Sequence, residues 1–222
     1  MTPTENEMTP AGAIAPNRSG VASGTIPEAV SSTTGVSVRY APVPKGEWFV
    51  FRASYNRELK AADFILNEGI YAYVPQQYVW KEKDGKPKKE LKSLISCKFF
   101  VYTDAKTAQK LAKDTPELSY VNFDYDRTRQ NPDGTNPPLR VPQREMEQFL
   151  RVCQTHSEHL MWMNPEEMNL KLNDPVLVTD GPFKGVEGYF VRAKKQNRVA
   201  IQIENLGCLV TAYIPTAFIR PL

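Results

Sequence analysis

Long hydrophobic runs are absent from this sequence of 222 residues, and their absence bears on where the protein works. No apolar stretch approaches the roughly 18 to 20 residues that a membrane-spanning helix requires. The N-terminus also lacks the basic start and the apolar run that are typical of a secretory signal peptide. Because 41% of the residues are hydrophobic, the chain is able to bury a core. We therefore expect a globular, cytoplasmic protein with no membrane contact.

Cysteine and histidine are scarce, which argues against several kinds of site. Cys97, Cys153 and Cys208 are odd in number and lie in unrelated contexts, so we expect reduced thiols rather than a disulfide framework. The spacing of Cys153, His156 and His159 superficially resembles a ligand set, but a zinc site needs four ligands and no second cluster offers the rest. Nothing marks a catalytic nucleophile. The sequence predicts no metal, no cofactor and no enzyme activity.

A strong excess of charge is also lacking. The formal net charge is +3, which permits contact with nucleic acid without requiring it. Residues 1–46 contain a single aromatic residue, Tyr40, and are rich in Pro, Ser, Thr, Gly and Ala. Such a composition buries too little apolar surface to offset the entropy of ordering. We expect a disordered tail, either an extension without a role or a functional arm.

The chain from residue 47 to 156 reads as a first folded domain. The run "EWFVFRAS" predicts a strand covered on both faces, and "NRELKAADFILNEG" predicts a helix that Asn56 caps and Gly69 ends. Another strand, "IYAYVP", precedes a hairpin over residues 77–94 that turns at Asp84-Gly85. The strand "KFFVYT" directs Phe99 and Phe100 to opposite faces.

Beyond residue 104 the pattern weakens until a loop at "NPDGTNPP". The segment "LRVP" is a candidate strand, and "PQREMEQFLRVCQT" has the apolar spacing of a helix. The fold class that fits is α+β, with an antiparallel sheet and helices on one face. Residues 157–172 are predicted to be a short linker.

The last fifty residues predict a second, all-β domain over residues 173–222. Four short strand candidates, "PVLVTD", "YFVRA", "RVAIQIE" and "CLVTAYI", are separated by turns, and "AFI" is able to supply a fifth. In the third of them, Val199, Ile201 and Ile203 alternate with other residues, as the inward positions of a barrel do. We expect a small closed barrel.

The run "DGPFKGVEG" lies between the first two of these strands. It matches neither a Walker loop nor a dinucleotide-binding loop, because the glycine spacing differs and a strand follows instead of a helix. Gly181, Gly185 and Gly188 are instead predicted to be corner residues that permit positive φ.

Two segments resemble one known family in the right order. "VLVTDGPFKGVEGYFVR" resembles the KOW motif of SH3-like barrels in NusG-type transcription factors and some ribosomal proteins. Residues 47 to about 155 are similar to the NusG N-terminal domain in "WFVFRA", the helix, "VPQ" and the basic hairpin. "VPQREMEQF" and "TAYIPTAFI" further resemble UpxY-type antiterminators of Bacteroides capsular polysaccharide operons. The residues that match the KOW pattern are Asp180, Gly181, Pro182, Phe183, Gly185 and Gly188.

This resemblance implies that the first domain binds the clamp helices of RNA polymerase through apolar sheet residues and that the KOW barrel binds a second protein or RNA. The positions that match are Trp48, Phe49, Leu94, Ile95 and Phe99. Aromatic strand residues also serve commonly as core, so packing is the alternative. One departure from the family pattern is that Ser96, Cys97 and Lys98 stand where Pro, Gly and Tyr are expected.

The predicted hairpin carries a local positive charge. Its lysines are candidates for contact with DNA or nascent RNA, and they are equally able to keep an edge hairpin solvated and unpaired. The candidates are Lys81, Lys83, Lys86, Lys88 and Lys89.

Together these observations predict a monomeric, non-enzymatic transcription elongation factor that suppresses premature termination, dedicated to one operon. The alternative is a KOW-containing protein that binds RNA or associates with ribosomes.

Overall fold

The computed structural model describes residues 43–83, 85–155, 157–164 and 174–222. Apart from residues 43–46, the predicted tail therefore lies outside the described residues. The same is true of His156, of Asp84 in the predicted hairpin turn, and of residues 165–172 of the predicted linker.

In the first part of the chain, the described residues form an antiparallel sheet, a separate two-stranded ribbon and three α-helices. Its strands are β1 (Glu47–Ala53), β2 (Tyr71–Tyr73), β3 (Gln76–Lys83), β4 (Lys86–Ser93), β5 (Lys98–Thr103), β6 (Val121–Phe123) and β7 (Arg140–Val141). Its helices are α1 (Glu58–Asn67), α2 (Ala105–Lys113) and α3 (Gln143–Cys153). The sheet has the order β2-β5-β1-β6, with β7 also paired to β1, while within the described ranges β3 and β4 pair only with each other.

The central strands β1 and β5 are buried on both faces, which explains their nearly continuous apolar sequences. Phe51 lies opposite Phe99 in the antiparallel register, and their rings stack with centroids 5.6 Å apart. Phe99 and Phe100 face opposite sides of the sheet, as the alternation predicts, because they belong to different core clusters.

The helices do not share one face of the sheet, which corrects the sequence-based expectation. Helices α1 and α2 pack with Phe49, Phe51 and Phe99 in one cluster, whereas α3 packs with Trp48 and Phe100 in another. Helical spacing identifies the apolar side of α3 but does not tell which face of a sheet receives it.

The start of α1 differs from the prediction that Asn56 caps it. The helix begins at Glu58, and no side chain among the described residues caps its N-terminus. Asn56 instead has φ of 51° and its Oδ1 atom accepts a hydrogen bond from the Cys97 thiol, with a sulfur–oxygen distance of 3.1 Å. Gly69, with φ of 77°, follows the helix as expected.

The second part of the chain forms an antiparallel sheet. Its strands are β8 (Met161–Met163), β9 (Pro175–Val178), β10 (Glu187–Ala193), β11 (Gln196–Ile203), β12 (Gly207–Val210) and β13 (Ile219–Pro221). They follow the order β13-β9-β10-β11-β12-β8. In the described parts of the chain, β8 and β13 are the two edges and do not pair with each other, so strand pairing does not close the predicted barrel.

Strand β8 lies inside the segment predicted to be a linker. Its residues pair with β12, and Met161 lies opposite Val210. The apolar "LMWM" sequence therefore serves as a sheet edge rather than as a connector. We retain the domain boundaries as a prediction.

Helix α3 lies in a core shared by both sheets. Met146, Phe149 and Leu150 are fully buried in one cluster that also contains Phe100 of the first sheet and Val199 of the second. The apolar face of α3 is therefore packed between the two sheets, and this shared core positions the surfaces described next.

Candidate interaction surfaces

The five residues expected to contact RNA polymerase are all buried. Phe49 and Phe99 are 1% and 0% exposed and lie between the first sheet and helices α1 and α2. Helices α1 and α2 cover both side chains, so neither faces solvent, and their contact with RNA polymerase stays a prediction. They are packing residues that support the sheet from beneath.

Trp48 is also buried, on the opposite face of the sheet. Its indole Nε1 donates a hydrogen bond to Gln143 Oε1 at 3.1 Å, and its ring meets Tyr71 edge-on at 5.5 Å. Because Gln143 is the first residue of α3, this bond fixes the helix start over the sheet. Trp48 therefore anchors α3 and does not face solvent.

Leu94 and Ile95 occupy a different position, at the floor of a crevice. They follow β4 and are 9% and 3% exposed. Both line a cavity of about 780 Å³ between the first domain, the β8 strand and the end of β10. Basic side chains of Arg192 and Lys194 contribute to the other wall. These two of the five expected residues thus line a space of ligand-binding size.

The turn beside this crevice has a left-handed backbone conformation that favours glycine, although no glycine stands there. Cys97 stands where the family pattern has Gly, and its φ is 63°. A left-handed conformation costs roughly 1–2 kcal/mol for a residue with a Cβ atom. The thiol bond to Asn56 and the bond from the Ala53 amide to the Cys97 carbonyl, 2.8 Å long, hold this turn in place.

The predicted nucleic-acid-binding lysines lie on the ribbon of β3 and β4, but not on one face. Register pairs Lys81 with Lys88, and both are exposed; Lys86, near the turn, is exposed as well. Lys81 also forms an ion pair with Glu90 at 2.9 Å. The side chain of Lys83 lies outside what the structure describes. Lys89 lies on the other face, because its neighbour Lys88 points the opposite way.

That other face carries an aromatic surface that the sequence analysis missed. Tyr78 and Trp80 alternate along β3, Lys89 lies directly opposite Trp80, and the Lys89 ammonium is 4.5 Å from the centre of the Tyr78 ring. The signal was present in "QYVWKEK", where the two aromatics are two residues apart. Trp80 is 61% exposed although it is large and apolar.

Glu158 connects this aromatic surface to the segment before β8. Its carboxylate accepts a hydrogen bond from Trp80 Nε1 at 2.9 Å and an ion pair from Lys89 Nζ at 2.6 Å. The Lys89 contact is the largest cause of a lowered pKa for this carboxyl, followed by the Trp80 bond. We define Tyr78, Trp80, Lys89 and Glu158 as the ribbon cluster.

The loop of the predicted KOW motif has defined geometry. Gly181 and Gly185 both have φ of 81°, as expected for corner residues, and Asp180 Oδ1 accepts a bond from the Gly181 amide at 2.8 Å. Gly188 needs its hydrogen for a different reason, since a Cβ atom there would lie 2.5 Å from the Ala200 carbonyl oxygen. The remaining two members, Pro182 and Phe183, are exposed and buried respectively.

Polar contacts join α3 to the second sheet. Arg144 forms an ion pair with Glu187 at 2.8 Å, and Gln148 accepts a bond from the Glu187 amide at 2.9 Å. Glu145 accepts a bond from the amide of Glu204 at 3.1 Å. Burial is the largest cause of the raised pKa of Glu145, to which the charge of Glu204 also contributes.

The described residues hold no group of three or more His, Cys, Asp and Glu side chains placed to bind a metal ion. Cys153 is buried, and burial raises the pKa of its thiol far above the usual range. His156 of the same sequence pattern lies outside the described part of the chain. Among the described residues, no helix has the length and apolar character needed to cross a membrane.

Comparison with known proteins gives one informative match. No curated protein matches the chain. Residues 46–150 match the family model described as transcription termination factor nusG, and this range spans the first sheet, the ribbon and most of α3. The match shows that residues 46–150 are similar to the NusG family.

Proposed function

We propose that this protein is a transcription elongation and antitermination factor that binds RNA polymerase and suppresses premature termination. The family match over residues 46–150 is the observation that carries the proposal. The resemblance of "VPQREMEQF" and "TAYIPTAFI" to UpxY-type antiterminators supports the narrower proposal of service to a capsular polysaccharide operon. The factor acts by binding, as a cytoplasmic monomer, and not by catalysis.

The polymerase-binding surface that we propose is the crevice above Leu94 and Ile95. Its apolar floor and its volume of about 780 Å³ suit the side chains of a docked helix, here the polymerase clamp helices. Trp48, Phe49 and Phe99 then contribute by holding the sheet behind that floor. A ligand that binds only the closed form of the clamp favours that form by its differential affinity.

The second sheet is proposed to act as a KOW module that recruits a second protein or RNA. Its "DGPFKGVEG" loop, with positive φ at Gly181 and Gly185, supports this assignment. A second binding surface on the same chain raises the effective concentration of its partner near the polymerase.

The experiment measures RNA polymerase retention by the full chain and readthrough of a terminator in transcription. Ser96 lines the crevice and is exposed, so Ser96→Trp places a bulky ring in the crevice without placing a charge in the core. We expect loss of both activities. Ser119→Trp is the matched control, because Ser119 is exposed and does not line the crevice. Wild-type protein that retains no polymerase contradicts the proposed function, and a Ser96→Trp variant that equals the control contradicts the proposed surface.

The alternative function is RNA binding or ribosome association through the KOW module. The turn between β10 and β11 favours it, because Lys194 and Lys195 are exposed there with φ of 50° and 60°. Two results together select this alternative. The wild-type chain co-sediments with ribosomal particles but not with RNA polymerase, and Lys194→Ala/Lys195→Ala loses the co-sedimentation.

A further inference from the structure

The ribbon cluster has the donors of an anion-binding site. We propose that Trp80 and Lys89 bind a phosphate and stack on the neighbouring base of a single-stranded nucleic acid, and that Glu158 occupies the phosphate position in the free protein. This inference rests on the proposed function only in naming where nucleic acid contacts the factor.

The carboxylate of Glu158 and a phosphodiester are chemically similar ligands for these two donors. Both are oxyanions, and both accept from an ammonium and from an indole N–H. The distances of 2.6 Å from Lys89 Nζ and 2.9 Å from Trp80 Nε1 show that the donors already converge on one pair of oxygens. An incoming phosphate therefore needs no rearrangement of Trp80 or Lys89, only the departure of Glu158.

The aromatic side chains supply the second half of the site. Trp80 is 61% exposed, and Tyr78 lies on the same face of β3. A base that stacks on an exposed aromatic ring contributes about 1–3 kcal/mol in single-strand binding proteins. Bases within a duplex are already stacked, so this surface favours a single strand.

The charge of the ribbon favours nucleic acid over an uncharged ligand. Strands β3 and β4 together hold six lysines and two glutamates, Glu82 and Glu90, which gives 6 − 2 = +4. Lys86, Lys88 and Lys92 are exposed on the ribbon. The screening length is about 8 Å at physiological salt, so charges on both faces of so thin a ribbon attract an anion to either face. An acidic protein segment would share this attraction and could accept from the Trp80 indole as Glu158 does, but its carboxylates would not stack on the two rings.

Binding has a consequence for the rest of the chain. Glu158 precedes β8, which lies at the edge of the second sheet. When nucleic acid displaces Glu158, the segment from residue 157 to 160 loses its polar attachment to the ribbon. The Glu158 carboxylate is thus an internal competitor that lowers the apparent affinity for nucleic acid.

The test uses the full chain and a fluorescently labelled oligothymidylate, with affinity measured over a range of salt concentrations. Trp80→Ala is expected to weaken binding about tenfold, within the range of one stacked base. Lys89→Ala is expected to reduce the salt slope by about 0.7, the value for one phosphate of a single strand. Glu158→Gln is expected to tighten binding, because the amide is a neutral competitor.

Matched controls are Tyr213→Ala, an exposed aromatic of the second part of the chain, and Lys113→Ala, an exposed lysine at the end of α2. The inference is overturned if Trp80→Ala binds the oligonucleotide with the same affinity as Tyr213→Ala. It is also overturned if Glu158→Gln binds with the same affinity as the wild type. Displacement of the oligonucleotide by polyglutamate, with Trp80→Ala unchanged, assigns the surface to an acidic protein segment and also overturns it. Polymerase retention is measured on the same variants. Retention without any oligonucleotide binding sinks this inference and leaves the proposed function standing.

Discussion

Phe149→Ala is the perturbation that best tests the shared core around α3. The Phe149 ring is fully buried, with its centroid 5.2 Å from that of Phe100 in the first sheet and 6.1 Å from that of Trp162 in the second. Removing this ring takes one contact from each sheet at once. We expect both sheets to lose stability together.

The expected cost follows from burial. Truncating a buried Phe to Ala lowers the free energy of unfolding by about 3–5 kcal/mol. The two ring contacts are part of this cost, at about 0.5–1.5 kcal/mol each. Because proteins of this kind have about 5–15 kcal/mol of stability in total, a loss of this size is a large fraction.

The assay is hydrogen exchange of the full chain, read on peptides from β5 and β11. Phe149→Ala should lower protection in both strands. The matched control, Phe123→Ala, removes an equal ring from the cluster under α1 and α2, where Phe123 contacts Phe51 with centroids 4.9 Å apart. It should affect β5 and spare β11. The reasoning is refuted if β11 keeps its wild-type protection from exchange in Phe149→Ala. It is also refuted if Phe123→Ala lowers the protection of β11 as much as Phe149→Ala does.

Two further predictions concern the close strand approach and the ribbon cluster. Gly188→Ala should lower the melting temperature by several degrees, because the new Cβ atom meets the backbone oxygen of Ala200 and overpacking costs about 1–3 kcal/mol. The control, Gln202→Ala, changes an exposed residue of the same sheet and should alter the melting temperature little. Equal melting temperatures for the two variants would contradict this prediction. The lowered pKa of Glu158 means that its ion pair with Lys89 is fully formed above the ordinary carboxyl pKa and is lost as the pH falls through the lowered value. An NMR titration of the Glu158 carboxyl checks this, and a midpoint at or above the ordinary value would exclude a stabilising pair.

The elements with strong local signals were predictable from sequence. Strand β1 is a run of apolar residues between polar ends, and the ribbon of β3 and β4 alternates around a turn with Gly85. Helix α2 was missed because it is short and has two buried residues, Ala108 and Leu111. Its signal was Asp104, whose side chain accepts bonds from two amides of the first turn.

The site was less predictable because burial depends on partners distant in sequence. A strand covered on both faces looks the same whether α3 or another protein covers it, so the exposure of Trp48 and Phe99 could not be deduced. The ribbon cluster needed Glu158, which is 69 residues from Lys89 along the chain and acquires its role only when the segment before β8 crosses the ribbon. The left-handed conformation of Asn56 was likewise not predictable from neighbouring residues, because its hydrogen-bond partner is the thiol of Cys97, distant in sequence.

The position of α3 matters for anyone dividing the gene. The family match ends at residue 150, inside this helix, whose side chains are locked against strands on either side. A product truncated there exposes the apolar residues that the first sheet and α3 contribute to this shared core. The complementary product exposes the apolar residues that the second sheet contributes. Produced separately, the two fragments are expected to aggregate through these exposed apolar surfaces. Produced together in one cell, they are able to associate, because the two surfaces are complementary.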